Sequence, residues 1–113
     1  MKIEERKIKN INILDVHENI DLHSAGIFKN QVYSLLKRGE AIIVLNVKDI
    51  KIDSAGLGVI IALAKNKINY NTDICFLNLS THLKKIFQIN NLDLCFPIFD
   101  TEEEALKQFN YFS

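Results

Sequence analysis

Residues 41–45 read AIIVL, five apolar positions in succession with no polar break. A strand half-exposed to water alternates apolar and polar residues. One that is apolar throughout must be covered on both faces, the usual condition of a central strand in a parallel sheet. Covering both faces takes helices from the same chain. The 113 residues, 48% of them apolar, suffice for one such layered domain and leave no material for a second.

The remaining patterns supply the layers. Ile11, Ile13 and Val16 mark a β-branched stretch between Asn10 and the polar residues 17–19, and a weaker charged stretch over 3–9 precedes it. Together they predict a hairpin whose first strand lies at an edge. Phe28, Val32, Leu35 and Leu36 recur at helical spacing over 24–37, with Ser24 able to cap the start and Arg38 and Gly39 closing the end. After a loop over 48–53, Leu57, Ile60, Ile61, Ala64 and Ile68 mark a second helix that starts close to Ser54 and holds Gly56 and Gly58 in its first turn. Short strands are expected at 74–77 and 96–99, a third helical face at Leu79, Leu83, Ile86 and Phe87, and a final helix over 101–109 opened by a Thr101/Glu104 capping box. The order ββαβαβαβα predicts an α/β fold: one mixed, mostly parallel sheet of about five strands with four helices, residues 1–113 forming a single domain.

Composition narrows the function classes. Fourteen Lys and Arg balance fourteen Asp and Glu, and the basic side chains are scattered, which argues against a nucleic-acid footprint or a membrane-binding stripe. No apolar run reaches the length of a signal peptide core or a membrane span, so a cytoplasmic protein is expected. Cys75 and Cys95 lie far apart in apolar settings, which suits core thiols better than zinc ligands or a redox pair. His17, His23 and His82 are isolated, as surface or loop histidines are, and no metal site is expected.

Enzymatic readings find little support. Gly56 and Gly58 open a helix after a strand, as in a dinucleotide-binding loop, but Ile61 stands where the third glycine belongs and no Walker lysine follows. Ser54 lacks a G-x-S-x-G elbow and follows an acid. Neither a catalytic residue nor a cofactor is therefore assigned.

The stretch Ile52-Asp53-Ser54-Ala55-Gly56-Leu57-Gly58 does constrain chemistry, because an acid, a hydroxyl and two glycines crowd the mouth of a helix. There the Ser54 hydroxyl can cap free N–H groups, and the same N–H groups and helix dipole could stabilise a phosphate carried by it. Leu57, not an acid or amide, stands three residues on, so no capping box holds the serine. Glycines at 56 and 58 leave room for another protein. Val59, Ala62 and Leu63 form a second apolar strip that suits either a docking surface or additional core.

DSAGLG at 53–58 resembles the D-S-x-G-L-G motif of bacterial STAS-domain anti-sigma factor antagonists. As in that family it follows a strand ending in Leu45-Asn46. The resemblance extends to Ile20-Asp21 before the first helix, to LSTHLKKIFQINNLDLCFPIF at 79–99 and to TEEEAL at 101–106. It implies that Ser54 is the phosphoacceptor, flanked by Asp53 and Asp21, and that Asp21, Asp53, Ser54, Ala55, Gly56, Leu57 and Gly58 meet the partner. The implied function is partner switching. The unphosphorylated chain binds an ATP-dependent anti-sigma factor serine kinase and so frees a sigma factor; it is then phosphorylated by that kinase and reset by a serine phosphatase, catalysing nothing itself. A constitutive STAS scaffold, in a signalling assembly or as a transporter's accessory subunit, is the alternative. Three departures from the family stand out: Glu18-Asn19 replaces a common Gly-acid pair, and Asn71 and Asn91 replace two common glycines, asparagine being tolerant of the left-handed conformation.

Overall fold

The AIIVL run becomes β3 (Ile42–Asn46), third of five strands, with Ile42 to Leu45 all buried. The computed structural model describes residues 1–109. Before β3 come β1 (Ile3–Ile8), β2 (Ile11–Val16) and α1 (Ala25–Lys37); after it come α2 (Ser54–Asn66), β4 (Asp73–Leu77), α3 (Thr81–Ile89), β5 (Ile98–Phe99) and α4 (Glu102–Gln108). This is the predicted order. Only β1 runs antiparallel, paired to β2 across a turn in which Lys9 takes φ 53°; all later pairs are parallel.

In-register partners put alternate residues on opposite faces. Leu14, Leu45 and Phe76 align across β2, β3 and β4 and face the main core. There they meet Phe28, Val32 and Leu35 of α1, Ile60 and Leu63 of α2, and Leu83 and Phe87 of α3. All three crossover helices share this face, as right-handed connections that always step the same way along a sheet require. The second face carries Ile13, Val44, Cys75 and Leu77, and α4 covers it through Leu106. Burial there pushes the Cys75 thiol up to about 12.

Four expectations are corrected. The last strand is only two residues long, because a 3-10 turn at Leu92–Leu94 and Pro97 precede it; Phe96 is instead a core side chain, edge-on to Phe76 at 5.2 Å. Helix α2 stops at Asn66 and the chain tightens to a 3-10 turn, so Ile68 leaves the apolar stripe and is 88% exposed. Asn91 takes the left-handed conformation (φ 57°), whereas Asn71 has no positive φ. Thr101 caps α4 through the Glu104 N–H at 3.2 Å, but the Glu104 carboxylate accepts from Asp100 N–H rather than returning to Thr101.

Because β2, β3 and β4 are parallel, α1, α2 and α3 all begin at one end of the sheet. The loops that precede them gather there.

Candidate functional site

Asp53, not Ser54, is the N-cap of α2. Its backbone is extended, and Oδ1 accepts from the Gly56 N–H at 3.0 Å. Both residue types cap well; the chain places the acid in the capping position and the serine in the first helical one. The Ser54 side chain is thereby released. It is exposed and has no hydrogen-bond partner among the described residues.

The second oxygen of Asp53 reaches across to another loop. Oδ2 accepts from the Leu22 N–H at 3.0 Å, so one carboxylate holds the start of α2 and the loop ahead of α1 together. Further ties join the two loops. Ile20 and Ile52 form an isolated parallel bridge, with Ile20 N–H donating to Lys51 O and Asp53 N–H to Ile20 O. The Asn19 side chain accepts from Lys51 N–H at 2.9 Å. The departure at Asn19 thus sits in a stitch between the loops.

Gly56 belongs to the same clamp. A Cβ there would lie 2.6 Å from the Ile20 carbonyl oxygen and 2.7 Å from Ile52 Cγ2. The space left by its missing side chain is therefore filled by this chain, which corrects the expectation that it makes room for another protein. Gly58 is different: it is exposed, and a Cβ there would meet nothing within 4 Å.

Asp21 organises the start of α1. Its Oδ1 accepts from the His23 and Ser24 N–H groups, and its carbonyl accepts from Ala25 N–H at 2.8 Å. The His23 hydrogen bond foremost holds this carboxyl below its ordinary value. Ser24 stands at the N-cap position but makes no side-chain cap; its hydroxyl donates to Asn19 O and accepts from Asp21 N–H.

Of the seven residues singled out from sequence, Asp53, Ser54 and Gly58 stand on the surface at the mouth of α2, with Asp21 half-buried in the loop clamped to it. Ala55 and Leu57 are half-buried and pack on the core, and Gly56 is fully enclosed. The second strip on α2 divides: Leu63 is core, while Val59 and Ala62 are half-buried. A groove of about 750 Å³ runs beside the mouth, floored by Ile50, Ile52 and Leu83 and rimmed by Asp21, Asp53 and His82. Among the described residues, no three His, Cys, Asp or Glu side chains are grouped to hold a metal ion, and no helix is long and apolar enough to cross a membrane.

The strand ends below the loops are fixed by a polar chain that sequence reasoning did not find. Arg6 donates to Asp15 at 2.5 Å and to Glu102 of α4 at 2.6 Å; Asp15 accepts from Asn46 at 2.8 Å, and Asn46 accepts from Asn78 at 2.9 Å. Burial pushes the Asp15 carboxyl upward, yet the hydrogen bonds from Arg6 and Asn46 outweigh it and leave the group below its ordinary value. Asn46 is where the chain leaves the sheet for the Ser54 loop, so the network anchors that departure.

A five-stranded mixed sheet with three helices on one face, a fourth on the other and a serine at the mouth of the second helix is the STAS architecture. The STAS domain family model matches residues 2–105, and the chain belongs to that family. Among its relatives, two Thermotoga proteins carry the description "putative anti-sigma factor antagonist". That of Thermotoga neapolitana is 28% identical over 103 residues, covering 89% of this chain and 91% of the relative. The crystal structure of that of Thermotoga maritima superposes with a TM-score of 0.85 at 25% identity, covering 94% of this chain and 92% of the other. The anti-sigma factor antagonist SpoIIAA in its unphosphorylated form shares the fold, with a TM-score of 0.73 at 18% identity over 96% of this chain and 97% of that one.

Proposed function

We propose that this chain is an anti-sigma factor antagonist that works by partner switching in the cytoplasm, with Ser54 as its phosphoacceptor. The observation that carries the reading is the division of labour at the mouth of α2: Asp53 does the capping, which leaves the Ser54 hydroxyl exposed and unbonded on a clamped platform. The unphosphorylated surface binds an anti-sigma factor serine kinase and displaces the sigma factor. In the inactivating step, Ser54 Oγ attacks the γ-phosphorus of the kinase-bound ATP. A new O–P bond forms, the bond to the β–γ bridging oxygen breaks to release ADP, and the hydroxyl proton passes to a base on the kinase. A serine phosphatase hydrolyses the phosphoserine and restores the binding form.

The charge change suffices for the switch. A phosphoserine brings about −1.5 to −2 charges next to the Asp53 carboxylate. A hundredfold loss of affinity needs only about 2.7 kcal/mol, within reach of a like-charged, desolvated group at an interface. The fold need not change. The test is binding of the unmodified chain, Ser54→Ala and Ser54→Asp to the cognate kinase with nucleotide. Retention by Ser54→Ala and loss by Ser54→Asp is expected; equal binding by both overturns the switch and leaves a constitutive scaffold.

A further inference from the structure

Among the described residues, five large apolar side chains are well exposed: Leu22 (75%), Ile27 (49%), Ile68 (88%), Ile89 (80%) and Leu94 (82%). Single exposed apolar residues are ordinary, so position must decide whether any has a use. Ile68 follows the end of α2, Ile89 ends α3 and Leu94 lies just beyond it, all at the opposite end of the helices from Ser54. Leu22 is placed otherwise. Its N–H is bound by the carboxylate of Asp53, the residue next to Ser54.

On the reading of Ser54 as phosphoacceptor, we infer that Leu22 is an apolar anchor of the kinase interface, seated in an apolar recess of the kinase beside its nucleotide site. A kinase whose active site reaches Ser54 Oγ must cover this chain around that atom. A standard interface masks about 800 Å² on each partner, a patch far wider than one hydrogen bond and two residues of chain. Leu22 falls inside that footprint, so its side chain is either buried against the partner or left facing a gap. The backbone beneath it is already immobilised by the Asp53 carboxylate on one side and, through Asp21, by the turn into α1 on the other. Little ordering entropy remains to be lost on binding, the condition under which one apolar side chain contributes most.

The experiment follows phosphate transfer from radiolabelled ATP to purified full-length chain, using soluble extract of the source cells as the kinase and peptide mapping to locate the label. Leu22→Ser is compared with Leu94→Ser, an equally exposed apolar site at the far end, and with Ser54→Ala. Because Leu22 is mostly in solvent, its truncation leaves the fold intact, which amide spectra of the variant verify. The expected result is label at Ser54 in the unmodified chain and Leu94→Ser at equal rates, and in Leu22→Ser a rise of roughly tenfold in the chain concentration for half-maximal rate, with the maximal rate retained. Equal half-maximal concentrations for Leu22→Ser and the unmodified chain, with Ser54 labelled in both, overturn the anchor while the antagonist reading stands. Absence of label at Ser54 in the unmodified chain overturns both.

Discussion

Gly56 and Gly58 look alike in the motif, and the structure predicts opposite consequences for adding one methyl group to each. At Gly56 the new Cβ falls 2.6 Å from Ile20 O, 2.7 Å from Ile52 Cγ2 and 2.8 Å from Ile20 Cγ2. The first of these atoms is backbone and takes part in the bridge joining the two loops, so it cannot rotate aside. Overpacking of this kind costs about 1–3 kcal/mol, and loosening the Asp53 N–H to Ile20 O bond adds about 1 kcal/mol. Alanine's better helix propensity returns about 0.5–1 kcal/mol. A net loss of about 1–3.5 kcal/mol follows for Gly56→Ala, roughly 4–14 °C in Tm for a domain of this size. For Gly58→Ala the open space leaves only the propensity term, a gain of about 0.5–1 kcal/mol, roughly 2–4 °C. Urea and thermal unfolding of the two variants beside the unmodified chain measure both signs. Equal stabilities for the two would refute the close approach of Gly56 to Ile20 and with it the clamp.

Two further outcomes are expected. Asp15 has its carboxyl depressed in the fold, so its contribution is fully present above the unfolded value of about 3.9 and is lost as pH falls through the lower folded value. Asp15→Asn should therefore cost about 1.5 kcal/mol at neutral pH, the low end for a charged hydrogen bond because Arg6 is partly open to solvent. That gap should narrow as pH falls below about 4; urea midpoints at pH 7 and pH 3 test it, and a gap independent of pH would count against the Arg6–Asp15 pair. Cys75 is buried with its thiol pushed up to about 12, whereas Cys95 is half-buried. Iodoacetamide at pH 8 should add one group to the folded chain and two in denaturant, read by intact mass, and equal labelling rates at the two cysteines would contradict the packing of the second sheet face.

The fold was legible because its signals are local and redundant. AIIVL announces a strand covered on both faces, and the 3.6-residue recurrence of Phe28, Val32 and Leu35 announces the helix that covers one of them. What was illegible depends on residues far apart in the chain. The enclosure of Gly56 is set by Ile20, and nothing near Gly56 in sequence distinguishes it from Gly58. Asp53 and Ser54 are adjacent and both cap helices well; the choice between them follows from the Leu22 N–H, a donor 31 positions from Asp53. Phe96 to Phe99 reads as a strand by composition, but Phe96 is drawn into the ring cluster with Phe76. The Arg6 chain joins three strands and a helix and has no sequence signature at all.

Strand order in the sheet equals strand order in the chain. Each strand after the first therefore finds its neighbour already made, and a ribosome extending the chain from its N-terminus can add strands singly, with no strand waiting for a later one. α4 breaks that progression. Its Glu102 returns to Arg6, 96 positions back, so this ion pair can close over the first strand only after all five strands have been made. Neighbouring segments therefore build the sheet, while a charged contact between residues far apart in the chain ties its first strand to the helix that follows its last.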